Sequence, residues 1–124
     1  MIEIPAIRAQ LEKAKREEEI IRLTAEQVIR DFARFGLEIN FSGKASQAYD
    51  ELHEQMSQHI LILMETQSGR IDALLYQIDI DQKKSSRLTK NKQASGELAE
   101  MILERELLKV LTRLYFKEKP PENL

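Results

Sequence analysis

Two histidines are the residues of this chain best suited to acid-base or metal chemistry. His53 follows Asp50 by three positions, which places a carboxylate and an imidazole one helical turn apart. Di-iron bundles use two such pairs and two further glutamates, whereas the residue three before His59 is Met56. No metal site is therefore predicted. We expect His53 on the surface, and His59 either facing the core with one hydrogen-bond partner or fixing the register of a helix seam.

Nucleophilic and nucleotide chemistry lack their usual sequence patterns. Ser42, Ser68 and Ser95 occupy ordinary turn or helix-cap positions, not the strained strand-to-helix turn of a nucleophile elbow. The four glycines are scattered singly and there is no cysteine, so neither a phosphate-binding loop nor a thiolate site is formed. We expect no enzyme activity, no catalytic residue and no cofactor. The remaining carboxylates are interpreted as helix caps, dipole partners and solvated faces: Asp79, Asp81, Glu97, Glu100, Glu104 and Glu106.

Basic residues cluster in a connection and along one late helical stripe. Residues 81–96 carry five basic side chains against one acidic, and basic residues then recur every four positions from Arg105. The helix dipole explains much of this stripe, and Arg105 is also a candidate for an internal ion pair with Asp79 or Asp72. The alternative is a patch for an anionic partner. Its residues are Lys83, Lys84, Arg87, Lys90, Lys92, Arg105, Lys109 and Arg113.

Composition indicates a helical protein of one domain, 1–124. Ala, Glu, Lys, Leu and Arg make up 61 of the 124 residues, a proportion typical of long helices. The longest apolar run, 60–64, is far too short for a signal segment or a membrane span. We therefore expect a cytoplasmic protein without membrane contact. The net charge of -2 argues against general nucleic-acid binding, since such domains carry a positive excess.

The first helix, predicted over 5–35, has a heptad seam. Steps of three and four from Ile4 to Phe35 meet an apolar residue at 9 of 10 positions, against 6 of the 22 others. Only Glu18 interrupts the seam, and Gly36 follows as a helix stop. A helix of this length spans about 46 Å, so part of it should extend beyond a small domain and meet a partner. The predicted partner seam comprises Ile7, Leu11, Ala14, Ile21, Ala25 and Val28.

Apolar periodicity predicts three further helices over 45–66, 70–79 and 96–117, with Ser95 as the cap of the last. The segment 37–41 alternates apolar and polar residues, which we interpret as a loop that tucks its apolar side chains inward. A basic loop, 82–95, and a short tail, 118–124, complete the chain. The fold class is thus all-α, a three- or four-helix antiparallel bundle with a coiled-coil-like N-terminal helix. The alternative is an α+β fold with a short hairpin from 37–42 and 76–81.

The sequence favours an interaction or assembly protein over an enzyme. In this hypothesis the chain forms a homodimer, or binds another helical protein, through the seam of its first helix. The second hypothesis is a small nucleic-acid or acidic-partner binding protein that uses 83–92 and the basic stripe.

Overall fold

The computed structural model describes residues 4–118 and contains five α-helices. These helices are α1 (Ile4–Ala33), α2 (Ala48–Thr66), α3 (Ser68–Ile78), α4 (Gln82–Ser85) and α5 (Ser95–Glu118). No strand occurs within 4–118. The all-α prediction is confirmed, and the alternative with a β-hairpin is wrong.

One apolar core lies between the four longer helices. Helix α5 packs against both α1 and α2, and α2 packs against α3. Every one of these helices supplies large side chains that are fully or almost fully buried, such as Phe32, Met56, Leu74 and Ile102. Burial of each such side chain is worth about 1.5–3 kcal/mol, so this core holds the bundle together. None of the described helices has the length and apolar character that a bilayer crossing requires.

The segment after α1 is a tucked loop because α2 satisfies its backbone. The side-chain amide of Gln55 accepts from the Asn40 nitrogen at 2.8 Å and donates to the Asn40 oxygen at 2.7 Å. Glu51 accepts from the Ser42 nitrogen at 2.8 Å. Ile39 is buried, and Phe41 is partly buried against the core. Side chains therefore take the place of a neighbouring strand, and the alternating pattern marks inward and outward residues of a loop.

Two helices end in the same hydrogen-bonded motif. Gly36, at φ +72°, follows α1, with bonds from the Gly36 nitrogen to the Ala33 oxygen and from the Leu37 nitrogen to the Phe32 oxygen. This is a Schellman ending, which favours a left-handed residue after the helix. The predicted Gly36 stop is confirmed.

Helix α3 ends in the same way with Asp79 in the left-handed position, at φ 72°. The nitrogens of Asp79 and Ile80 donate to the oxygens of Tyr76 and Leu75, and Ile80 is buried. The alternation at 78–81 is therefore a helix end rather than a strand.

The basic segment 82–95 is more ordered than a loop. It contains α4 and the 3-10 turns Leu88–Lys90 and Lys92–Ala94, and the buried side chains of Ser85 and Ala94 anchor it. Ser95 does not cap α5, because the preceding 3-10 turn already gives it helical angles. The Asn91 side chain instead accepts from the Gln93 nitrogen at 3.0 Å. Most of the predicted tail, 119–124, lies outside the described residues.

Candidate functional site

The first part of α1 runs beyond the buried core. We call residues 4–19 of this helix the arm. All arm side chains that the structure describes are exposed. They are those of Ala9, Glu12, Lys13 and residues 15–19. Burial begins at Ile20 and Ile21, which are half-buried, and is complete at Ala25. At about 1.5 Å per residue the arm is about 24 Å long.

The predicted seam is divided between the arm and the core. Ala25 and Val28 are fully buried inside the chain's own core, so they cannot serve a partner as predicted. Their stripe continues into Phe32 and is covered by the bundle. Ile21 is half-buried at the boundary. The side chains of Ile7, Leu11 and Ala14 lie outside the described residues.

An apolar groove opens where the arm meets the bundle. It has a volume of about 290 Å³ and lies between α1, α2 and α5, with Ile21, Leu52, Leu103 and Leu107 among its lining residues. At its edge the Tyr49 hydroxyl donates to Glu100 at 2.5 Å. Sequence reasoning missed this groove. The available signal was the number of leucines on α5, two of which, Leu103 and Leu107, line the groove.

The predicted anionic-partner patch separates into two parts. Its first part, which we call the basic connection, has five exposed side chains that form no ion pair within the described chain. These are Lys83, Lys84, Arg87, Lys90 and Lys92.

The second part, on α5, is engaged internally. Arg105 pairs with Asp79 at 2.7 Å, which confirms the predicted ion pair, although the Asp79 side chain is 78% exposed. Lys109 lies 3.0 Å from Glu106, and Arg113 donates to the Gln27 side chain at 3.0 Å. The eight basic residues therefore do not form one free surface.

Two carboxyl groups lie buried where α1 meets α5. Asp31 is 2% exposed and Glu106 is 0% exposed; we call them the acid pair. The interpretation of Glu106 as a solvated carboxylate is wrong. Position 106 falls four residues after Ile102 and four before Val110, and both of these are buried, so helical periodicity places Glu106 on the core face. That periodicity was the signal in the sequence.

The acid pair holds one proton at neutral pH. Burial, followed by the hydrogen bond with Asp31, raises the pKa of Glu106 to about 8, and Lys109 opposes this rise. Burial alone would raise the pKa of Asp31. The hydrogen bonds with Glu106 and Gln27 and the charges of Lys109 and Arg34 outweigh it and lower that pKa. Protonated Glu106 therefore donates to the Asp31 carboxylate.

Both histidines have structural partners. His59 is half-buried, and its Nε2 lies 2.7 Å from the Glu38 oxygen, as expected for a histidine with one hydrogen-bond partner. His53 is half-buried rather than on the surface, because it stacks on Tyr49 and its Nε2 lies 3.0 Å from the Gly96 oxygen. No cluster of three or more potential metal ligands occurs among the described residues.

Comparisons of the chain with protein-family models, with curated proteins and with solved structures give no match.

Proposed function

We propose that this chain is a non-enzymatic helical assembly protein that forms a homodimer through the seam of its arm. The observation that carries the proposal is the exposure of the arm. Helix α1 is 30 residues long, yet none of its described side chains is even half-buried before Ile20.

A helix in this situation needs a partner. An isolated helix of about 16 residues is marginally stable in water, because propensity alone barely offsets the ordering of its backbone. The sequence places Ile4, Ile7, Leu11 and Ala14 at heptad spacing on the arm. Two arms that pair through this stripe would bury it and leave the charged residues between 12 and 17 in solvent, while Glu18 would lie on the seam at the end of the paired region.

The apolar groove extends the proposed contact. Ile21 lines this groove and also the neighbouring cleft that reaches Lys15 and Glu18. A partner arm that follows the seam towards the bundle would therefore meet further apolar surface on Leu103 and Leu107. Four seam positions make a short coiled coil, so this extra area supports a dimer.

A pair of matched variants tests the arm. Leu11→Asp places a charge in the seam, whereas Ala9→Asp introduces the same charge on an exposed position of the same helix. Light scattering on a sizing column should give the parent chain and Ala9→Asp a mass near twice 14.4 kDa. Leu11→Asp should elute near 14.4 kDa with the bundle folded. Equal masses for Leu11→Asp and Ala9→Asp would contradict the proposal.

The basic connection supports a second candidate function, binding of a nucleic acid or an acidic protein. Its five cations are exposed and form no ion pair within the described chain. Such binding would weaken steeply with salt, because each phosphate contact releases counterions. The triple variant Lys83→Ala, Lys84→Ala, Arg87→Ala should then lose most affinity. The absence of any shift with duplex DNA or RNA at low salt would remove the nucleic-acid form of this candidate.

A further inference from the structure

Two arginines from different helices donate hydrogen bonds to the same uncharged oxygen, the side-chain amide oxygen of Gln27. Arg30 of α1 donates to the Gln27 Oε1 atom at 3.2 Å, and Arg113 of α5 donates to the same atom at 3.0 Å. Neither arginine has an ion-pair partner within residues 4–118. An amide oxygen carries only a partial charge, so the two cations stay uncompensated.

Asp31 of the buried acid pair orients the Gln27 side chain. The Gln27 side-chain nitrogen donates to Asp31 Oδ2 at 3.1 Å, and Asp31 is almost fully buried. The amide is therefore oriented with its oxygen towards the arginines. Gln27 is a positioning residue that brings Arg30 and Arg113 together.

More cationic than anionic side chains lie around the Gln27 side chain. Lys109 and Arg34 both approach Asp31, at 4.0 and 3.8 Å. Because Glu106 is protonated at neutral pH, the acid pair supplies a single negative charge. Lys109 and Arg34 lie beside that charge and Arg105 is matched by Asp79, whereas Arg30 and Arg113 contact the uncharged Gln27 oxygen.

A solvent-open groove of about 390 Å³ lies beside Gln27 and Arg113, and Arg30, which is not part of its lining, donates to the Gln27 amide oxygen. Its lining residues are Gln27, Arg105, Lys109, Thr112 and Arg113. We call it the arginine groove, and it is separate from the arm and from the apolar groove.

We propose that the arginine groove binds the phosphoryl group of a small phosphorylated ligand, with Arg113 from its lining and Arg30, which adjoins the groove at Gln27, as the principal contacts. A guanidinium presents paired donors that match two phosphate oxygens. A phosphoryl group carries about two negative charges at neutral pH, which balances two arginines better than one carboxylate would. This site is independent of the proposed dimer.

Titration of the full chain with inorganic phosphate and then pyrophosphate, followed by amide NMR shifts, tests the site. We expect saturable shifts confined to residues near 27–34 and 105–113, with sodium chloride at equal ionic strength as the reference. Arg30→Gln and Arg113→Gln should each weaken pyrophosphate binding by about tenfold or more, since each removes charge-assisted hydrogen bonds.

Arg22→Gln is the matched control, because Arg22 is an exposed arginine of α1 paired with Glu26 at 2.9 Å. It should leave pyrophosphate affinity unchanged. Shifts that do not saturate, or that sodium chloride reproduces, would overturn the proposal, as would an equal loss in Arg22→Gln. Saturable binding of a short DNA duplex without binding of pyrophosphate would also overturn it and favour a nucleic-acid partner.

Discussion

Glu106 is an ionisable residue on the face of α5 that packs into the core. Among the described residues, the nearest cation to its two buried carboxyl oxygens is the Lys109 ammonium, 3.0 Å from one of them, and this contact does not offset the lost solvation of the ionised form. The protonated form instead donates to Asp31. One proton thus decides whether the contact between α1 and α5 contains one buried negative charge or two.

This proton makes stability depend on pH. The folded-state pKa of Glu106 is raised from 4.5 to about 8, so between these values the unfolded chain releases a proton that the folded chain keeps. The free energy of unfolding contributed by this group therefore falls as pH rises from about 4.5 to about 8. Glu106→Gln keeps a donor for Asp31 and removes the titration. We expect it to be more stable than the parent by about 1–3 kcal/mol at pH 8, with little difference at pH 4.5.

Urea unfolding of the parent and of Glu106→Gln at several pH values measures this difference. Glu104→Gln, an exposed change on the same helix, serves as the control and should keep the parent's pH dependence. A Glu106→Gln curve that runs parallel to the parent's from pH 4.5 to 8 would refute the shared-proton arrangement.

The end of α3 depends on one residue with two roles. Asp79 adopts the left-handed backbone of a Schellman ending and also pairs with Arg105. The ion pair is mostly exposed, which limits its contribution to below about 1 kcal/mol. A left-handed conformation costs most L-residues about 1–2 kcal/mol, but asparagine, aspartate and glycine tolerate it.

Three substitutions at this position separate the two roles. Asp79→Gly and Asp79→Asn should each change the free energy of unfolding by less than about 1 kcal/mol. Asp79→Ala loses both features and should be the least stable, by about 1–2 kcal/mol. Thermal unfolding ranks the three variants. If Asp79→Asn proves as unstable as Asp79→Ala, the charge rather than the backbone controls the helix end.

The loop between α1 and α2 relies on the side chain of Gln55. Gln55→Ala removes both bonds to Asn40 and should destabilise the chain by about 1–2 kcal/mol. Hydrogen exchange at the Asn40 amide should become markedly faster, whereas Gln58→Ala, an exposed change on the same helix, should leave it unaltered. Unchanged exchange in Gln55→Ala would show that the buried Ile39 alone holds the loop.

Helical periodicity was enough to predict the elements but not their contacts. The apolar spacing predicted the four longer helices, and Gly36, directly after the last seam residue, predicted the first helix end. The Arg105–Asp79 pair is one of the two pairings predicted for Arg105, the other being with Asp72. The contacts that the sequence did not predict join residues that are distant in the chain. They are the hydrogen bonds of Gln55 to the Asn40 backbone, the hydrogen bond from Arg113 to Gln27, and the contact of Glu106 with Asp31. The sequence also did not predict that the seam passes from exposed to buried at Ile21, because this boundary depends on where α5 begins to cover α1.

For the whole molecule, the arm and the bundle should differ in stability. The bundle has its own core, whereas the arm lacks described buried side chains. In the monomeric variant Leu11→Asp, amide hydrogens of residues 5–17 should exchange rapidly while those of residues 25–32 stay protected. In the parent, dimer formation should protect both ranges. Equal, rapid exchange of the arm in the parent and the variant would mean that nothing covers the arm in solution.

The mass of the parent chain in solution tests the central claim most directly. Light scattering on a sizing column should be recorded at low and at high salt. An apolar seam predicts a mass near twice 14.4 kDa at both salt concentrations, because salt screens exposed charges without weakening apolar contacts. A mass of 14.4 kDa at both concentrations would contradict self-association through the arm.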